Sequence, residues 1–216
     1  GGRAPAGGGA RTHDLAVDLG GRTLAGTVTG VTGITLLQVT YSRLAPKHRL
    51  GAWVRLLALT AHRPDRPWVA RSVGRGGRGG RPAVVTAGPL GPTPEARRQS
   101  AVAHLGVLVD LYDRALCEPL PLYCATSAAW AQAARQGQDP RGPARQQWTT
   151  SGDHRGEDRD AAHRLVLGGT VPFDSLLGER PRPGEAGPGW AGGEETRLGR
   201  LSRRLWDQLL QSEGSA

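Results

Sequence analysis

The stretch Arg22-Thr-Leu-Ala-Gly-Thr-Val-Thr-Gly-Val31, followed by Thr32-Gly33 and then Ile34-Thr-Leu-Leu-Gln-Val-Thr-Tyr41, decides how the chain folds. Both runs are rich in β-branched residues and are separated by a short turn, which predicts two antiparallel strands. Ser42-Arg-Leu-Ala then leads to Pro46, a residue suited to a first helical position. From there to His62, Leu50, Trp53, Val54, Leu57, Ala58 and Ala61 recur at helical spacing. Leu56 and Leu59 widen the apolar face beyond one stripe, so the helix is expected to be buried against the hairpin.

Working outward, Asp14-Leu-Ala-Val-Asp-Leu19 alternates and adds a first strand, with Gly20-Gly21 as its turn into the hairpin. Residues 1–12 have no periodicity and read as a flexible linker. On the other side, Arg63-Pro64-Asp65-Arg66-Pro67 ends the buried helix. Trp68 to Val73 and Ala83 to Thr86 read as further strands around Gly74-Arg-Gly-Gly-Arg-Gly-Gly-Arg81. Thr93-Pro94-Glu95 starts a helix to about Leu116 with Ala101, Leu105, Leu108, Val109, Tyr112 and Leu116 on one face. Glu118 to Tyr123 is extended, Ser127 caps a helix to Arg135, and a short helix is expected around Trp148. Residues 178–195 read as a long mobile Gly/Pro loop. Thr196 caps a last helix whose Leu198, Leu201, Leu205, Trp206 and Leu209 face inward. The expected class is α/β of the mixed α+β kind: a central β-meander packed by helices, forming one domain over 13–212.

A chain of 216 residues buries roughly 70 % of its unfolded surface and needs no disulfide or metal to fold. It begins Gly-Gly-Arg and contains no Met, which is expected of an internal or carboxy-terminal piece of a longer protein. The net charge is +9 and Lys47 is the single Lys among 28 basic residues. That balance favours polyanions, nucleic acid above all, although enrichment in Arg, Gly, Ala and Pro is also what a GC-rich genome writes. No apolar run of membrane length and no signal sequence is seen, so a cytoplasmic location without membrane contact is expected. Cys117 and Cys124 have neither the spacing nor the second pair of a zinc knuckle and read as reduced core cysteines.

Candidate chemistry is sparse. Gly74, Gly76 and Gly79 formally spell G-x-G-x-x-G, but a strand follows where a dinucleotide site needs a helix. The loop is instead a hairpin connection whose Arg75, Arg78 and Arg81 could reach phosphates, or a solvated turn. Asp153, His154, Glu157, Asp158, Asp160 and His163 fit no standard metal spacing and are interleaved with Arg155, Arg159 and Arg164, so a solvated loop and helix start is the better account. His62 and His104 read as structural. No Gly-x-Ser-x-Gly, Walker loop or His-Glu-x-x-His occurs.

The run from Thr35 to Ala61, with Leu24 to Val31 before it, resembles the carboxy-terminal domain of the RecC family, the gamma subunit of exodeoxyribonuclease V, the RecBCD helicase-nuclease. Ser42-Arg-Leu-Ala-Pro-Lys-His-Arg-Leu50 is the most specific block. Pro67-Trp68, Val73-Gly74-Arg75, Leu111-Tyr112, Pro119 to Leu122 and Arg197 to Trp206 extend the resemblance in order over about residues 14–210.

The resemblance implies a degenerate PD-(D/E)xK nuclease-like core. Active relatives of that fold hold Mg²⁺ between an Asp on one hairpin strand and a carboxylate on the next, with a Lys beside the attacking water. Aligned on this chain, those positions are Thr29, Gln38 and Thr40, all neutral, and residues 22–42 contain no Asp, Glu or Lys. The domain is therefore expected to keep the scaffold and lack the nuclease, with no cofactor of its own; Mg²⁺ and ATP belong to partner subunits. An active site using Asp14 or Asp18 is a remote alternative. The implied roles are handling separated DNA strands at the duplex fork and docking a RecD-type subunit beside a RecB-type one, in double-strand-break repair by homologous recombination. A purely structural docking module is the competing reading. Arg43, Lys47, His48 and Arg49 are the leading candidates for DNA contact or docking, since cations at a helix start oppose its dipole; Arg75, Arg78 and Arg81 come next. Trp68 either stacks on a base or packs in the core.

Overall fold

The computed structural model describes residues 9–76 and 81–214 and divides the chain into two compact units, where the sequence reading takes 13–212 as one domain. One runs up to Gly106 and takes in the end of the chain from Ser212; the other is Val107–Gln211.

The first unit is built on a five-stranded sheet in sequence order: β1 (Arg11–Asp18), β2 (Thr23–Thr32), β3 (Thr35–Arg43), β4 (Val69–Arg75) and β5 (Pro82–Ala87). Helix α1 (Pro46–His62) follows β3. β1, β2 and β3 form the expected antiparallel meander, β4 runs parallel to β3, and β5 returns antiparallel. The parallel step is where α1 belongs, since two parallel strands need a crossover and a helix is the usual one. Arg11 and Thr12, expected as linker, already lie in β1.

The core of this unit is the covered face of the sheet against α1. Leu15, Val17, Val28, Val31, Leu36 and Ala70 come from the strands, and Trp53, Leu56, Leu57 and Leu59 from the helix. Burying each large apolar side chain contributes about 1.5–3 kcal/mol, so this layer dominates the unit's stability. Trp68 is buried and donates from Nε1 to the Arg63 carbonyl at 2.6 Å, with its ring edge-on to His13. Its surface is spent in the core, which removes the base-stacking reading.

Helix α2 (Pro94–Cys117) begins as expected, with Thr93 Oγ1 accepting from the Ala96 amide. Ala101, Leu105 and Leu111 are buried, whereas Tyr112 and Leu116, expected inward, are exposed. Neighbouring helical residues differ by about 100° in direction, so burying Leu111 turns Tyr112 outward.

The second unit holds α3 (Cys124–Arg135), α4 (Arg141–Trp148), α5 (Ala161–Leu167) and most of α6 (Arg197–Gly214). Tyr123, Trp130, Ala144, Trp148, Phe173, Leu176 and Leu198 form one buried cluster. Helix α3 starts three residues before Ser127, because the Glu157 carboxylate accepts from the Ala125 and Thr126 amides at 2.8 Å each. Thr196 caps α6 through Oγ1 to the Gly199 amide, and Leu198, Leu201, Trp206 and Leu209 are buried as expected. Leu205 is half-buried.

The stretch 178–195, expected as a mobile loop, is tied down at two points. It forms a short 3-10 turn over Pro183–Glu185 that buries Glu185. Arg197, itself buried, donates from Nε to Glu185 at 2.8 Å, from Nη2 to Glu118 at 2.6 Å and from Nη1 to Glu179 at 3.2 Å. Farther on, Trp190 has Arg114 and Arg204 within 5.4 and 4.8 Å of its ring centroid. Gly/Pro content signals the absence of a helix or strand, and says nothing of the ion pairs that pin the backbone.

Candidate functional site

The three neutral positions sit on the central hairpin, in a place unsuited to a metal. The recorded β2–β3 pairing is Val31 with Leu36 and Thr32 with Thr35. Gly30 breaks the ladder beyond it: its φ is +77°, and a Cβ there would lie 3.0 Å from the Leu37 carbonyl oxygen. Thr29 is exposed on β2 and, among the described residues, has no ladder partner on β3. Gln38 is half-buried and accepts from Arg55 Nη1 of α1 at the long distance of 3.5 Å. Thr40 shares a hydrogen bond with Ser42 Oγ at 2.9 Å, and its Cγ2 would lie 2.9 Å from any Cβ at Gly74, which fixes that residue as glycine.

A guanidinium thus lies beside Gln38. Hard divalent cations favour carboxylate oxygens, and a neighbouring guanidinium disfavours them. Arg55 escapes a sequence reading, because nothing in its own neighbourhood links it to Gln38. Asp14 accepts from Thr27 Oγ1 at 2.7 Å, and Asp18 accepts from the Gly20 amide at 2.9 Å. Both acids are satisfied on the exposed side of the meander. Among the described residues no group of three His, Cys, Asp or Glu could hold a metal ion. In the interleaved segment, Asp158 is buried and binds Thr150, Asp160 caps α5, and His163 meets the Glu157 carbonyl. These are structural tasks.

The basic candidates separate into two groups. Arg43 and Arg75 are register partners at the ends of β3 and β4, and Pro82 pairs with Arg75, which brings Arg81 to the same end of the sheet. Lys47 is exposed in the first turn of α1, where no acidic residue balances it. Arg43, Lys47, Arg75 and Arg81 are solvent-facing and have no carboxylate partner among the described residues. His48 and Arg49 are engaged internally. His48 Nδ1 accepts from the Ala45 amide at 3.2 Å and so closes the start of α1. Arg49 is half-buried and makes a bidentate pair with Glu213, its Nε 2.9 Å from Oε1. Arg78 lies outside the described residues.

The second unit has a groove of about 400 Å³ lined by Pro119, Leu122, Tyr123, His163, Glu179 and Arg182 among others. Burial, with Glu179 and Glu157 nearby, pushes the Tyr123 phenol up to about 12, so it stays a neutral group packed 4.6 Å from the Trp148 ring. No nucleophile and base are paired there.

A family model described as the RecC C-terminal domain matches residues 2–135, more than half of the sequence. The chain belongs to that family. Its curated relatives include the RecBCD enzyme subunit RecC of Mycobacterium tuberculosis, in strains CDC 1551 / Oshkosh and ATCC 25618 / H37Rv, each 48% identical over 206 residues, or 95% of this chain. The RecBCD enzyme subunit RecC of Mycolicibacterium smegmatis is 43% identical over 204 residues, 94% of the chain. The chain spans 18% of the length of each. Among the described residues no helix is long and apolar enough to cross a membrane.

Proposed function

We propose that this domain is a non-catalytic, DNA-handling part of a RecC-type subunit. It guides separated strands at the fork and docks a RecD-type subunit, within a RecBCD-type enzyme acting in double-strand-break repair. The observation that carries the reading is Arg43 facing Arg75 across β3 and β4 with Lys47 and Arg81 at the same end. Like charges directly opposite on neighbouring strands are destabilising, and cations at a helix start oppose its dipole. A surface that keeps four such charges without carboxylate partners fits a phosphate-bearing ligand.

The scaffold reading supports the same role. A meander followed by a helix and a strand parallel to its last member is compatible with a PD-(D/E)xK core, in which the resemblance would give Thr29, Gln38 and Thr40 the positions of the acids and Lys. Arg55 beside Gln38 supports leaving Mg²⁺ to the RecB-like and RecD-like partners, which in this reading also use the ATP.

The competing reading, a docking module without DNA contact, is favoured by His48 and Arg49, since the most specific sequence block spends both on internal structure. Fluorescence anisotropy of labelled forked DNA across a salt series separates the two. The proposal expects binding that weakens steeply with salt, with a log–log slope of about −0.9 per phosphate neutralised. Arg43→Gln, Lys47→Gln and Arg75→Gln should each reduce the slope by about one, and Arg49→Gln should leave it unchanged. Absence of binding at low salt supports the docking module.

A further inference from the structure

Among the described residues of the first unit, α1 covers one face of the sheet. Leu36, Ala70 and Ser72 are buried on the side of α1. On the other side the register aligns Leu37 with Arg71, Val39 with Val73, Val73 with Val84, and Arg43 with Arg75. Leu37 is 44% exposed, Val84 45%, Val39 61% and Tyr41 99%. Thr40 turns toward Gly74 on the covered side, so its neighbour Tyr41 belongs to the open one.

β3 carries Leu36, Gln38 and Thr40 on the covered face and Leu37, Val39 and Tyr41 on the open one, so its open face is the more apolar of the two. An antiparallel sheet meant to face water would carry polar residues at those positions.

We infer that the open face is a docking surface for an amphipathic segment, a helix with an aliphatic stripe and acidic flanks, supplied by the polypeptide that RecC-type subunits carry outside this domain. The charge pattern selects the flanks. Arg71, the register partner of Leu37, is exposed on the face, and β3, β4 and β5 contain no Asp or Glu. The lengths indicate the source, because in each relative this domain accompanies a far longer polypeptide, of which it covers 18%. Single-stranded nucleic acid fits the face less well, since Leu37, Val39, Val73 and Val84 present no π-surface for a base and Tyr41 is the one aromatic on these three strands. The inference goes beyond the strand-handling reading and does not depend on it.

Hydroxyl-radical footprinting with peptide-level mass spectrometry tests the inference on native residues. Tyr41 and Leu37 are followed in the 216-residue chain, in the chain with oligothymidylate, and in a full-length Mycobacterium tuberculosis RecC subunit carrying this chain in place of its matching stretch. A tyrosine dipeptide serves as the reference. Both residues should oxidise freely in the chain, Leu37 with or without oligothymidylate, and severalfold more slowly in the full-length graft. Equal reactivity in chain and graft overturns the inference, as does protection of Leu37 by oligothymidylate. A second measurement needs no graft: the chain should bind an apolar-surface dye, and Leu37→Thr with Val39→Thr, which keep strand propensity, should abolish that binding without moving the urea midpoint. A lowered midpoint means the face is covered within the chain itself and equally overturns the inference.

Discussion

Arg197 donates to three carboxylates, and of these Glu185 is as deeply buried as Arg197 itself. Removing one partner of a buried pair strands the other charge, at a cost of about 3–5 kcal/mol. Arg197→Met should lower the urea-derived stability by about that much, and Arg197→Lys should recover only part of it, because an ammonium cannot donate along three directions of a planar fork. The hydrogen bond from Arg197 holds the Glu118 carboxyl below its ordinary range. His104, half-buried and 5.7 Å from the Trp53 ring, has its pKa lowered by burial. Its unfolded form takes up a proton near pH 6.5 while the folded form resists, so stability is full above that value and falls as the solution is acidified through it. Urea midpoints measured from about pH 8 to about pH 5.5 should decline, and His104→Phe should flatten that decline. A midpoint trend identical in wild type and variant would remove His104 from the account.

At the scale of elements, the helix starts show what a sequence reading reaches and what it misses. Helix α1 runs from Pro46 to His62 as read, because proline and the apolar spacing are local signals. Helix α3 starts before its apparent cap, because Glu157, more than thirty residues downstream, takes the Ala125 and Thr126 amides. Glu157→Ala should cost about 1–3 kcal/mol in urea unfolding, since two part-buried donors lose a charged acceptor, and Glu157→Gln should cost less. The same contrast governs the candidate site. Thr29, Gln38 and Thr40 are legible as neutral because identity alone decides whether a group can ligate a metal. The Arg55 guanidinium on Gln38 and the Glu213 carboxylate on Arg49 are tertiary contacts, absent from any local pattern. The alternation of β3 and β4 was readable as strand, but the parallel pairing that leaves Leu37 and Val39 in solvent depends on where α1 delivers the chain.

For the whole molecule, net charge and composition pointed to a polyanion without saying which of many arginines would meet it. The fold narrows the choice by consuming some of them. Arg97 donates to the Pro64 and Gly91 carbonyls, Arg98 to the Ala61 carbonyl, Arg145 pairs with Asp174, and Arg203 pairs with Asp207. What remains concentrated at one end of the sheet is the group of Arg43, Lys47, Arg75 and Arg81. A RecC-family domain with that surface, and with the neutral groups of Thr29, Gln38 and Thr40 on its hairpin, should on the proposed reading hold DNA without cutting it. The most direct test is a gel of labelled forked DNA incubated with the purified chain, Mg²⁺ and a range of salt. The account predicts intact DNA, retarded at low salt and released as salt rises. Cleavage that persists in an independently purified sample would contradict the dead-site assignment and return attention to Asp14 and Asp18, and intact DNA that is never retarded would contradict the strand-handling role.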